Sequence, residues 1–302
     1  MFRQAAFTGD RSLLKGALHC HTTRSDGRGS PEDVIRLHKR EGYDFMAITD
    51  HRIYNYKNYA PDTDMIILPG MEIDSDINGA PYPCYHTVVL GPAEGNLYRQ
   101  DQRFSFDKID NQEQFQKYLD TFQQAGHLTM YCHPEWSQTP VCEFDRLKGN
   151  FAMEIWNTGC VLENGLDANA AYWDDLLMQG QQIYGCAVDD GHPMDQHCKG
   201  WVCVNADRNV DAILSALKNG AFYSSCGPEI KDFRIEDGKA VVECSPCAEI
   251  SFRAGRMPCR SLYSDNADLC RHECHVPDFL KYIRVTVTDK NGRRAWSNPI
   301  FF

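Results

Sequence analysis

Short apolar runs recur along roughly the first two hundred residues, and each stops at an acid, an imidazole or a turn. Runs of this length bounded by turn residues read as buried strands. They cover 13–21, 43–49, 65–68, 71–73, 85–90, 127–132, 151–156, 183–188 and 201–204. Helical spacing appears between them. Ser30, Pro31, Glu32 and Asp33 make an N-cap, a proline at the first helical position and an acidic first turn ahead of Val34, Ile35, Leu37 and His38, and Gly42 closes the segment. Phe115, Tyr118, Leu119 and Phe122 form a second apolar stripe ending at Gly126. Tyr172, Trp173, Leu176 and Leu177 form a third within 168–179, and 210–217 a fourth, stopped by Gly220. The pattern predicts successive β/α units.

Beyond residue 200 the texture changes: 201–204 and the 210–217 helix complete the larger unit, and short alternating segments follow at 230–235, 240–244, 249–253 and 282–288, punctuated by Asp237-Gly238, Ala254-Gly255 and Asn291-Gly292. Such turns between alternating runs predict a small β-rich domain at 229–302 behind a larger domain at 1–228.

The strand ends carry the chemistry. His19 and His21 are two apart on one strand, so both imidazoles leave it on the same face as a metal pincer. The turn Arg24-Ser25-Asp26-Gly27 is placed to bring the Asp26 carboxylate over the same opening, while Cys20 points away and packs. Distant partners follow in order: Asp50-His51, Glu72, His86, His133 and Asp190-Gly191-His192, each where an apolar run meets a turn. Core packing does not explain charged groups placed there repeatedly. Imidazole with carboxylate suits zinc, manganese or iron.

In order, the text LHCHTTRSDG, FMAITDH, PGMEI, YHTVVLG, YCHPEW, MEIWN and VDDGH resembles the PHP (polymerase and histidinol phosphatase) metal-dependent phosphoesterases, over about 13–200. The resemblance implies an α/β fold, a distorted (β/α)7 barrel of PHP type, with metals at the C-terminal mouth of the strands. It implies the grouping of ligands: His19, His21, Glu72 and Asp190 on one ion, Glu72 with His86 and His133 on a second, Asp26 with His51 and His192 on a third. Asp26 stands where some relatives use histidine. Two or three divalent ions (Mn, Fe or Zn) are therefore expected, with Asp189 as the fallback for Asp190. Asp50 is an alternative orienting acceptor for an imidazole, and Glu135 is either such an acceptor or exposed. Glu154 is not expected to be a ligand.

The implied reaction is hydrolysis of a small phosphate ester, of nucleotide or sugar phosphate type, by a metal-bridged hydroxide. Glu72, Asp190 and His192 are its catalytic residues, His192 alternatively protonating the leaving group. Arg24, Arg28, Arg52, His197 and Lys199 lie near the expected mouth loops as candidate phosphate contacts. Text in the C-terminal part, AFYSSCGPEI with YIRVTVTD and AWSNPIFF, resembles the module appended in the carbaryl-esterase-like branch. That keeps carboxylic or carbamate ester hydrolysis as an alternative, beside a non-catalytic metal-binding regulatory module.

Composition sets the outer limits. The 302 residues are 42% hydrophobic, enough for a large core, and the formal net charge is -11, from 31 basic and 42 acidic residues. That balance argues against a nucleic-acid polymer as partner and leaves a small phosphate ester open. Residues 1–10 lack a basic region followed by an apolar run, and no stretch is long enough to span a bilayer, so a cytoplasmic location without a membrane partner is expected. Of the 14 cysteines, Cys20, Cys84, Cys132, Cys160 and Cys186 read as buried packing residues. Cys244, Cys247, Cys259, Cys270 and Cys274, with His272 and His275, raise a structural zinc as a second possibility.

Overall fold

The computed structural model describes residues 4–7, 13–75, 84–95, 97–107, 109–255 and 261–302. Within it the chain forms a mixed α/β fold, rich in sheet, with five α-helices among the described residues. Four of the helices open on a capping side chain, that of Ser30 as expected, and Thr158–Asn164 is a helix the sequence pattern did not predict. Ser30, Asn111, Asn157 and Asn209 each accept a backbone N–H three residues on through the side chain, opening Pro31–Arg40, Gln112–Gln124, Thr158–Asn164 and Val210–Lys218. Asn169–Met178 is the fifth.

Strand Leu14–Ala17 pairs in parallel with Phe45–Ala47, which pairs in parallel with Ile66–Leu68. On its other side Leu14–Ala17 pairs antiparallel with Trp201–Val204. From there one sheet continues through Phe222–Ser225, Arg294–Ser297, Tyr282–Thr288 and Glu249–Arg253, so a single ten-stranded sheet carries strands from both sides of residue 228. A second, five-stranded sheet runs Gly70–Asp74, His86–Leu90, Leu128–Tyr131, Asn150–Asn157, Tyr184–Val188. Gln4–Phe7, Ile230–Glu236, Lys239–Cys247 and Leu269–His275 make a third.

The second sheet departs from a uniform β/α alternation. Gly70–Asp74, His86–Leu90 and Leu128–Tyr131 are antiparallel neighbours. The link from Leu90 to Leu128 contains the helix Gln112–Gln124 and is long enough for a parallel crossover, so the antiparallel course is set by which neighbour the strand meets and not by chain length. Isolated bridges, Cys20 to Gly191 and His51 to Glu72, tie the two larger sheets together at one end.

Apolar faces of both sheets meet in one cluster that includes Leu18, Phe45, Leu68, Val88, Met130, Val188 and Val202. Phe115, Leu119 and Phe122 from one helix and Trp173, Leu176 and Leu177 from another cover Met71, Ile73, Val89 and Ile155. Each such side chain contributes about 1.5–3 kcal/mol on burial. These layers fix the strand ends at which the acids and imidazoles sit. No helix among the described residues is long and apolar enough to cross a membrane.

In the C-terminal part, Cys244 and Cys247 are buried with their sulfurs 3.8 Å apart, and Cys270 is exposed. Among the described residues these thiols gain no third donor within metal-binding distance. Cys259 lies outside the described residues.

Candidate metal centre

Parallel strands deliver their next residues to one mouth. His19 and His21 follow Leu14–Ala17, His51 follows Phe45–Ala47, His133 follows Leu128–Tyr131, and Asp190 and His192 follow Tyr184–Val188. His86 opens its strand instead of following it because that strand runs the other way, setting His86 opposite Asp74. Gly27 closes the first loop over the backbone of His21 and Thr22: a Cβ there would lie 2.5 Å from the His21 carbonyl carbon. That close approach places Asp26 above the histidines.

Nε2 of His19 and of His21 lie 3.2 Å apart. His19 Nε2 is 3.4 Å from Glu72 Oε2 and 3.2 Å from Asp190 Oδ1, and His21 Nε2 is 3.3 Å and 3.0 Å from the same oxygens. Separations of this size are the edges of a tetrahedron or octahedron of donors about ~2.1 Å from a common centre. The other oxygen of Glu72 reaches His86 Nδ1 at 3.0 Å and His133 Nε2 at 3.5 Å, so one carboxylate joins two donor groups. Asp26 Oδ2 lies 3.5 Å from His51 Nε2 and 3.3 Å from His192 Nε2, and its Oδ1 3.5 Å from His21 Nδ1, a third and more open group. The donors gather as His19, His21, Glu72, Asp190; as Glu72, His86, His133; and as His21, Asp26, His51, His192, the last adding His21 to the set the motifs imply, while His19, Cys132 and Glu154 form a fourth group that the motifs do not imply.

Whether a cation fits is answered by the donors. Glu72 Oε2 and Asp190 Oδ1 are buried and make no hydrogen bond. Buried carboxylate oxygens without a donor are costly, and lone pairs converging with imidazole nitrogens are what a divalent cation satisfies. Burial alone would raise the Glu72 carboxyl, but His19, His51 and His86 hold it well below the usual carboxylate range. Burial opposes a proton on His19, yet Asp190, Glu72 and Glu154 lift it well above the ordinary imidazole value. Burial likewise works against the fall of Asp190, which His19 and His21 drive down. The cluster therefore favours positive charge at its centre, and bound cations would replace protons on the imidazoles.

A second layer aims these groups. His19 Nδ1 lies 2.6 Å from Glu154 Oε1; a carboxylate only accepts, so Nδ1 carries the proton and Nε2 presents its lone pair inward. Oε2 of Glu154 accepts from the His133 backbone N–H and from Asn157 Nδ2, and Asn157 donates also to Asp190. His192 Nδ1 donates to the Asp190 carbonyl at 3.0 Å, leaving Nε2 toward Asp26. Two of the converging residues have left-handed backbone, His133 at φ 23° and Asp190 at φ 48°; such conformations are held by surrounding structure and gather at functional sites. Asp50 orients no imidazole directly. It accepts from Thr22 N–H, Thr22 Oγ1 and Ser25 Oγ, fixing the loop that bears His21.

Asp189 faces the other way. Its carboxylate accepts the backbone N–H groups of Cys198, Lys199 and Gly200, and Asp190 is the one that meets the histidines. A cavity of 720 Å³ opens over the cluster, lined among others by Arg28, Arg52, Asp74, Trp136, Glu163 and Gln196. Arg52 chelates Asp74. Arg24, His197 and Lys199 are not brought to this wall. The Arg24 guanidinium is held by Tyr59 and Asp101. His197 is buried against Gly191 and the ring of His38 because the 193–198 turn folds inward. Lys199 lines a separate depression with Lys15 and Trp201. Glu135 ties down the start of the helix Asn169–Met178 by accepting from Ala168 N–H. Sequence reasoning missed Asp74, Trp136 and the orienting role of Glu154; for Glu154 the signal was an acid alone in an apolar strand, Met153 to Trp156.

No family model matches the chain, and no curated protein does. Solved structures similar to it include a two-domain protein containing a predicted PHP-like metal-dependent phosphoesterase from Bacteroides vulgatus, at TM-score 0.48 and 13% identity over 94% of this chain and 92% of that one. Another is a protein described as a metal-dependent phosphoesterase from Bifidobacterium adolescentis, at TM-score 0.39 and 12% identity over 59% of this chain and 87% of that one. A third is an amidohydrolase from Chromobacterium violaceum holding sulfate and no metal, at TM-score 0.41 and 13% identity over 59% and 88%. The first of these names the family that the motifs resemble; the chemistry rests on the side chains described above.

Proposed function

We propose that the protein is a metal-dependent hydrolase of small phosphate esters, its site the cavity over Glu72. What carries the reading is one buried carboxylate with each oxygen in a different group of imidazoles. His19, His21, Glu72 and Asp190 would hold one divalent ion, Glu72, His86 and His133 a second, and Asp26, His51 and His192 a third. Ions in such sites polarise phosphoryl oxygens and lower the pKa of water toward ~7. The chain's own residues do the rest. Glu154 and Asn157 lock donor orientation, and Arg52, braced by Asp74, fixes the wall. Arg28, exposed on that wall with no ion pair among the described residues, meets the negative charge of the ester. His192 is aimed to hold an ion or to give a proton to the departing oxygen.

The strand ends around the mouth are consistent with a distorted barrel of PHP type, with residues 1–228 bearing the hydrolase and 229–302 an accessory β module. The described cysteines form no disulfide with one another, and reduced thiols suit work in the cytoplasm on a diffusible substrate. Metal analysis of the purified protein, with phosphate release from nucleotides and sugar phosphates measured beside aryl carboxylic and carbamate esters, tests the reading. Retained divalent metal and phosphate release support it. Ester cleavage without phosphate release moves the substrate class, and a protein that retains no metal and cleaves nothing with Mn, Fe or Zn supplied overturns the proposal.

A further inference from the structure

Trp136 is the one large exposed apolar side chain among the described residues that lines the cavity, and its exposure is 42%. Its ring sits 5.0 Å from that of His133, edge-on at 80°, and 5.7 Å from that of His86, tilted at 60°. The loop holding it is stiff. Backbone N–H groups of Ser137, Gln138 and Thr139 donate to the carbonyls of His133, Glu135 and Pro134. Asn169 Oδ1 accepts the Glu135 N–H at 3.1 Å. An indole leaning on two metal-binding candidates, with much of its surface open to the cavity, has been desolvated on one side and left for a partner on the other. The cavity of 720 Å³ lies within the ~300–1,000 Å³ typical of pockets for whole small molecules, so the esterified alcohol enters with its phosphate.

We infer that Trp136 is a stacking platform that determines specificity, and that the substrate is an ester whose alcohol portion carries a planar aromatic ring. This rests on the phosphoesterase reading above and names the substrate class it takes. Arg28 meets the phosphate, beside any ions that the Glu72 cluster would hold; Trp136 meets the ring. A nucleobase and a simple aryl group share this chemistry and differ in their distance from the phosphate.

The test uses wild type, Trp136→Phe and Trp136→Ala as purified holoproteins, with adenosine 5′-monophosphate, phenyl phosphate and glycerol 3-phosphate. In Trp136→Ala the ratio of kcat/KM for the aromatic ester over glycerol phosphate falls about 10- to 100-fold, chiefly through KM, and Trp136→Phe recovers most of it. The ester whose ratio moves identifies the ring as base or aryl. Metal content and melting temperature, measured alongside, separate this from damage to His86 and His133; if Trp136→Ala has lost metal, Trp136→Leu takes its place. Ligand binding read by tryptophan fluorescence gives a second observable: the aromatic ester quenches wild type and not Trp136→Phe. A ratio within twofold of wild type, or equal quenching in Trp136→Phe, overturns the platform while leaving the hydrolase standing. Should wild type cleave no phosphate ester, the hydrolase reading falls, and quenching alone decides for or against stacking.

Discussion

Glu154→Gln changes a single atom in a fully buried side chain, and the structure dictates its consequence. The carboxylate accepts from three groups: His19 Nδ1 at 2.6 Å on one oxygen, and the His133 N–H at 3.0 Å and Asn157 Nδ2 at 2.9 Å on the other. An amide offers one acceptor and one donor. With its oxygen toward His19, its NH2 confronts two donors. Flipped, its NH2 confronts His19 Nδ1, which must then surrender its proton to Nε2, the nitrogen 3.2 Å from Asp190. A protonated Nε2 has no lone pair for a cation. Loss of such an orienting partner weakens metal binding about 10- to 100-fold, or about 1.4–2.7 kcal/mol, and the unmatched donors cost about 1–3 kcal/mol of stability. Zinc titration of metal-stripped protein against a chelating dye, with thermal melts, measures both. A Glu154→Gln protein that binds zinc as tightly as wild type refutes the tautomer argument.

Other outcomes follow from the same geometry. Glu72→Ala removes a donor from two groups at once, so bound metal falls by more than one ion's worth and turnover drops by about two orders of magnitude or more, read by elemental analysis and phosphate release. Asp189→Ala strands three backbone N–H groups and lowers the melting temperature by about 5 °C or more, whereas Asp190→Ala shows its loss in metal content; the reverse pattern would transfer the ligand role to Asp189. His38 is fully buried, and burial pushes its imidazole down to about 4 from 6.5. The folded state therefore binds fewer protons than the unfolded chain below pH 6.5, so His38's share of stability is whole above that pH and is lost as pH falls toward 4. At most that share is about 3 kcal/mol, and His38→Met flattens the acid limb of a pH-dependent denaturation series. Dialysis against a chelator lowers the melting temperature and added zinc or manganese restores it, since ligands that bind only the folded state stabilise it by mass action.

The amino-acid order alone determined where the chemistry sits. Donor types after buried strands are a local signal, and His19, His21, Glu72, His86, His133 and Asp190 were readable because each stands at the edge of an apolar run. Caps at Ser30 and turn glycines fixed helix ends for the same reason: they act on neighbours within a few residues. Tertiary structure decided the rest. The antiparallel course of His86–Leu90 depends on which strand it meets. Motif spacing favoured Asp190 and kept Asp189 as the fallback; in the fold Asp190 meets the histidines from a left-handed backbone, and Asp189 accepts three backbone N–H groups. Glu154 reaches His19 across 135 residues of chain, and His197, seated by sequence near the mouth, is buried beneath Gly191. Local pattern records a residue's own preferences. Which oxygen faces which imidazole is settled only when distant strands pack and their side chains must share one buried volume.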